Sequence, residues 1–129
     1  MTEVIFLDAR TVKQLHKMQM ENFGGTHGLR DEGMLVSALN RPINKSGYGS
    51  GDICDLAAAY LFGLARNHAF LDGNKRIAIV TAGIFLMENG FMIQSEEARL
   101  YQFVMAVASG EIDEDGVSRF LKDHIVPYP

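Results

Sequence analysis

Apolar residues recur at helical spacing along most of the chain. Val12, Leu15, Met18 and Phe23 form one face behind Asp8, a predicted N-cap, and the pair Gly24 and Gly25 stops that helix. Asp31 predicts a second helix with Met34, Leu35, Ala38 and Leu39 on one side, ended by Pro42. Asp52 predicts a third that runs to about Arg66, and a fourth begins near Gly73 or Asn74 and stops at Asn89 and Gly90. Ser95 predicts the cap of a fifth, with Leu100, Phe103, Val104, Val107 and Ala108 in register, and Asp113 opens a sixth through Val117, Phe120, Leu121 and Ile125. Val4 to Leu7 reads as a short strand, residues 24–33 as a glycine-rich loop, and residues 44–52 as a loose segment rich in Gly and Ser. The expectation is all-α: one domain over 1–129, a bundle of about six helices.

Two of these segments differ from the rest. Residues 56–65 (LAAAYLFGLA) and 77–87 (IAIVTAGIFLM) are apolar nearly all round, which marks buried helices rather than surface ones. The second is rich in β-branched residues, but its length and terminal glycine favour a helix. Neither is long enough to span a bilayer. Between them lies NHAFLDGNKR, residues 67–76, which crowds a histidine, an aspartate, an asparagine, a lysine and an arginine into one connection.

Composition narrows the setting. The chain has 129 residues, 47% hydrophobic and 22% charged, with a formal net charge of −4. That balance argues against a nonspecific nucleic-acid binder. A single cysteine, Cys54, excludes an internal disulfide, and its neighbours Asp52 and Asp55 would raise a thiol pKa, so it reads as a packing residue. The first residues, MTEVIFLDAR, lack a basic start and a long apolar run, and a cytoplasmic location is expected.

The connection 67–76 joins the end of one core helix to the start of another. A helix start offers unpaired N–H groups and partial positive charge, a natural phosphate site. Gly73 allows close backbone approach, Asn74, Lys75 and Arg76 bring donors and two cations, and Arg66 adds a third cation upstream. His68 can take a proton from an attacking hydroxyl, and Asp72 can hold a Mg²⁺ that bridges phosphate oxygens. Phe70 reads as an inward anchor. A base, a metal ligand and a phosphate cradle make a phosphoryl- or nucleotidyl-transfer set. A buried salt-bridge network joining the two helices is the competing account of the same residues. No GxxxxGK[ST] is present, and no second His or Cys sits at zinc-ligand spacing.

HAFLDGNKR resembles the signature of the Fic/Doc (Fido) superfamily, H-x-F-x-[DE]-G-N-G-R-x-x-R, through His68, Phe70, Asp72, Gly73, Asn74 and Arg76. Residues 24–42 and 108–124 are also similar to small toxins of the death-on-curing (Doc) type. Lys75 stands where Fic proteins carry Gly, and Ile79 where they carry a second Arg. The Doc form, H-x-F-x-[DN]-x-N-K-R, matches instead. The resemblance implies a Fido-type helical domain with a buried central helix after the motif. It implies a kinase that moves the γ-phosphate of ATP, with Mg²⁺, to a threonine of elongation factor Tu and so stalls translation. Position by position, His68 would be the base, Asp72 the Mg²⁺ ligand, and Gly73, Asn74, Lys75, Arg76 and, more weakly, Arg66 the phosphate holders. The Fic alternative is transfer of AMP to a protein hydroxyl; a third reading is an inactive partner-binding module. No stretch fits the inhibitory motif [ST]-x-x-x-E-[GN], so an antitoxin whose disordered segment folds onto the toxin is implied as partner.

Other residues read more plainly. His16, beside Lys13 and Lys17, is expected to be solvated; His27 lies in a loop and His124 near a helix end. Met18, Met20, Met34, Met87 and Met105 are expected to fill the core, and the acidic run 111–115 to be a solvated helix start.

Overall fold

The computed structural model describes residues 3–49 and 51–129. Six helices follow one another: α1 (Ala9–Phe23), α2 (Glu32–Gly47), α3 (Ile53–Asn67), α4 (Asn74–Glu88), α5 (Glu97–Ser109) and α6 (Glu114–His124). Two three-residue strands, β1 (Phe91–Ile93) and β2 (Ile125–Pro127), pair antiparallel with Met92 opposite Val126. The all-α expectation holds, and α3 and α4 form its centre. Leu56, Ala57, Ala58, Tyr60, Leu61 and Leu64 of α3 and Ile77, Ala78, Ala82, Phe85 and Leu86 of α4 are shut off from solvent. The β-branched run of α4 adopts a helix because its length suits burial on several sides by α1, α3 and α5.

Aspartates start four of the helices. Asp8, Asp31, Asp52 and Asp113 each accept a hydrogen bond from a first-turn amide of α1, α2, α3 and α6. Ser95 does not cap α5. The N-cap there is Glu96, without a side-chain bond, and the Ser95 hydroxyl donates to the Glu96 carbonyl instead.

Tertiary contact overrides three further local expectations. Pro42 does not end α2, which continues to Gly47. Gly63 of α3 lets α2 approach so closely that an added Cβ would lie 3.3 Å from the Cα of Ala38, and this packing holds the turn that proline weakens. The segment 44–52 is consequently half helical, and Lys45 is tied to Glu114; Ser50 falls outside the described residues. Residues 4–7 form no strand. Their backbone is satisfied by side chains: Ile5 by Asn89, and Leu7 by the Tyr60 hydroxyl, which receives the Leu7 N–H at 2.9 Å. Burial pushes that phenol up to about 12.

The methionines divide. Only Met20 of the five expected core fillers is buried; Met18, Met34, Met87 and Met105 are exposed. Cys54 is buried as expected, its thiol pushed up to about 11 by desolvation and then by the charge of Asp52. Glu114 is not solvated. It sits between Arg41 and Lys45, and although desolvation pushes its carboxyl up, hydrogen bonds from Lys45 and Arg41 outweigh that and leave it lowered. No helix among the described residues is long and apolar enough to cross a membrane.

Candidate active site

The connection between α3 and α4 is built by two segments lying side by side. Leu29 and Phe70 form an isolated antiparallel bridge, and the amides of Arg30 and Asp31 both donate to the Ala69 carbonyl, at 2.8 and 3.0 Å. The Leu71 amide donates to Gly28, and Arg30 Nε donates to the His68 carbonyl at 2.7 Å. The glycine-rich loop is thus the wall against which the motif is laid. Phe70 points inward, 3% exposed, as its alternation with the polar His68 and Asp72 predicted.

His68 caps α3 in the left-handed conformation, φ 51° and ψ 47°, the one non-glycine residue with positive φ among the described residues. That backbone costs a residue with a Cβ about 1–2 kcal/mol, and Gly or Asn is the usual choice for it. The His68 side chain is exposed rather than packed in hydrocarbon.

Gly73 caps α4, also left-handed at φ 72°, with no side-chain cap bond. The end of the Met20 side chain occupies the place of a Cβ, so a larger residue here must displace it and also adopt the strained left-handed backbone. Asp72, exposed, accepts from the Thr26 amide at 3.0 Å on one oxygen and from the Gly73 amide at 2.8 Å on the other. These two backbone donors, with weaker help from the charges of Arg76 and His16, hold its carboxyl below the usual carboxylate range. Arg76 donates to the Gly24 carbonyl at 3.0 Å and lies over the Phe23 ring. Lys75 is exposed and has no ion-pair partner among the described residues.

Asp72, Gly73, Asn74, Lys75 and Arg76 line one open cleft of about 440 Å³, closed on its far side by Glu97, Leu100, Tyr101 and Val104 of α5. His68 and Arg66 are not part of that lining. Arg66 instead lies over the Phe62 ring at 5.5 Å and beside Gly110. Both polar atoms of the Asn74 side chain are anchored to the loop: its Oδ1 accepts from the Phe70 amide and its Nδ2 donates to the Phe70 carbonyl, both at 3.0 Å.

Pattern reading missed His16. It is 3% exposed, not solvated; its ring stacks on Phe70 with centroids 3.9 Å apart, and its Nε2 lies 2.8 Å from the Asp72 carbonyl. The spacing of Val12, His16 and Met20, the three buried residues of α1, carried the signal, but the flanking lysines masked it. His124, by contrast, closes a ring stack with Phe120 and Phe103, and His27 is exposed in its loop.

The model of the Fic/DOC family matches residues 6–86, a span that runs from before α1 into the last turn of α4 and contains the connection 67–76 and the loop laid against it, but not the α5 wall of the cleft. The chain belongs to the Fic/DOC family. Among relatives in this family, the protein kinase doc of Escherichia phage P1 is 31% identical over 109 residues, which cover 84% of this chain and 86% of that protein. The toxin Doc of Mycolicibacterium smegmatis is 39% identical over 101 residues, covering 74% of this chain and 77% of that one. The resemblance read from residues 68–76 to the Doc type agrees with both.

A cation at this site finds the carboxylate of Asp72 beside the start of α4, with Glu97 on the α5 wall of the same cleft. The described residues contain no cluster of three His, Cys, Asp or Glu able to form a cage. Asp72 uses one lone pair of each oxygen on backbone donors and keeps the others free at the cleft. That donor set suits Mg²⁺, which takes one or two carboxylates and completes its shell with phosphate and water, and does not suit zinc.

Proposed function

We propose that this protein is a Doc-type toxin that transfers the γ-phosphate of ATP to a side-chain hydroxyl of a translation protein in the cytoplasm. A threonine of elongation factor Tu is the first candidate, and a cognate antitoxin with a disordered segment is the controlling partner. One observation carries the reading. Four helices start with an aspartate, and α5 has Glu97 in its first turn, whereas α4 starts with a bare glycine followed by Lys75 and Arg76 beside a cleft. Two cations at the positive end of a helix are unfavourable by about 0.3–1 kcal/mol each unless anions offset them, and Asp72 brings one negative charge against their two. A triphosphate supplies the rest.

In this reading the amides after Gly73 and the cations of Lys75 and Arg76 hold the phosphates. Asp72 would hold Mg²⁺, which, when bound, offsets phosphate charge and draws the oxygens together. His68 accepts the proton of the target hydroxyl as its oxygen bonds to the γ-phosphorus, and the bond from that phosphorus to the ADP oxygen breaks. The left-handed backbone of His68 keeps its ring at the surface, where a protein substrate can meet it. The replacement of the Fic glycine by Lys75 and of the second arginine by Ile79 favours γ- over α-phosphate transfer.

The test is isotopic. Incubation with a bacterial lysate should transfer label from γ-labelled ATP to one protein and none from α-labelled ATP. Transfer from the α position would replace the kinase with a nucleotidyltransferase. No transfer from either, with normal growth on induction, would leave a partner-binding module.

A further inference from the structure

Building on the transferase reading, we infer that His16 is a positioning residue: its imidazole latches the Asp72 peptide and thereby sets the direction of the amides that open α4. An imidazole taken out of water is costly unless its nitrogens find partners. His16 is 3% exposed, yet it bonds none of its own helix; its Nε2 meets the carbonyl of Asp72, 2.8 Å away and 56 residues later. A carbonyl only accepts, so the ring carries its proton on Nε2.

The geometry makes this bond more than packing. The Asp72 carbonyl and the Gly73 N–H belong to one rigid peptide plane. Fixing the oxygen fixes that N–H, which donates to Asp72 Oδ1 at 2.8 Å, and with it the start of the helix. The ring cannot swing, because it lies on Phe70 at an interplanar angle of 11°. Phe70 is in turn clamped by both side-chain atoms of Asn74. His16, Phe70, Asp72 and Asn74 therefore close a circuit around the loop, tied to the middle of α1 through the imidazole.

His16→Phe keeps the ring, its volume and the stack, and removes only the donor. His16→Gln returns a donor at similar reach. Three quantities are read: amide exchange at Phe70, Leu71 and Gly73, kcat and KM with γ-labelled ATP, and cooperative thermal unfolding. In His16→Phe, exchange at these amides should rise about tenfold and kcat fall about tenfold, with KM for the protein target nearly unchanged. His16→Gln should recover most of both. The proposal is overturned if His16→Phe exchanges and turns over like the wild type, or if His16→Gln is no better than His16→Phe while still folding cooperatively. If the wild type transfers no phosphate at all, the kinase reading fails separately, and the exchange rates alone decide the role of His16.

Discussion

The two ends of α4 are built from the same parts and put to different uses. Each has a glycine with positive φ, Gly73 at 72° and Gly90 at 95°, and each has an asparagine whose amide grips another residue's backbone on both sides. At the C-terminal end the grip ties in a distant segment, Ile5, and Asn89 also donates to Phe85, one turn back. Gly90 has open space where a Cβ would stand. Everything there serves closure. At the N-terminal end Asn74 grips only its own loop, Gly73 is pressed against Met20, and the first turn carries cations with no capping side chain. The same devices finish the helix at one end and hold it open at the other. A helix end that is well supported and yet carries two cations against the single charge of Asp72 points to an anionic ligand rather than to stability.

Replacing His68 should break that contrast most sharply. His68→Ala should lower phosphoryl transfer about 10²–10⁴-fold, the usual range for a missing general base. His68→Gly should lose transfer equally but raise stability by about 1 kcal/mol or more, because glycine adopts the left-handed backbone without strain. Thermal melts beside transfer assays check both. A His68→Gly protein that melted lower than the wild type would show that the side chain serves the fold, not the reaction.

The glycines come next. Gly73→Ala must bear both the backbone penalty and a clash with Met20, a cost of about 2–4 kcal/mol. Gly90→Ala bears only the backbone penalty, about 1–2 kcal/mol. Denaturant unfolding of the two variants measures the difference directly. Equal losses would mean that the Met20 contact yields freely and that the tight packing beneath Gly73 is not a constraint.

The asparagines should differ in kind as well as size. Asn74→Ala strips partners from the part-buried backbone of Phe70, for about 1–2 kcal/mol, and should slow transfer as the loop loosens. Asn89→Ala exposes Ile5 groups that water can reach, for about 0.5–1 kcal/mol, and should leave kcat alone. Turnover measured on both variants, against their melting temperatures, tests whether the loop and the closure are separable.

Much of this asymmetry is legible in the chain itself. Aspartate caps at positions 8, 31, 52 and 113 locate four helix starts to the residue, because a cap is a local interaction. The conjunction of Asp72, Gly73, Asn74, Lys75 and Arg76 is local too, since consecutive residues at a helix start must share a neighbourhood. Apart from the Ser95 cap, most of what failed was non-local. Pro42 looks like a stop because the sequence does not reveal that Gly63 lets α3 support it. The strands β1 and β2 are three residues each and stabilise one another across more than thirty positions, so neither run announces itself. His16 looks solvated beside two lysines until α4 is packed against α1. Arg66 looks like a phosphate ligand by proximity in sequence, whereas the helix phase turns it toward Phe62.

The smallest effect concerns acid. Asp72 has its folded carboxyl lowered by the Thr26 and Gly73 amides, so its contribution to stability is present above the ordinary carboxylate pKa and is lost as pH falls through the lowered value. The N-terminal end of α4 should therefore loosen only in strong acid, below the range where an unperturbed aspartate titrates, near 4. Asp72→Asn removes this titration but leaves an oxygen able to accept one of the two amides. Its melting temperature should lie slightly below that of the wild type at pH 7 and approach it at pH 2. Amide exchange at Thr26 and Gly73, followed over the same range, assigns the change to this loop. A gap that stayed constant with pH would mean that the two amides recognise the shape of the side chain and not its charge, and would remove the electrostatic part of the contrast between the two helix ends.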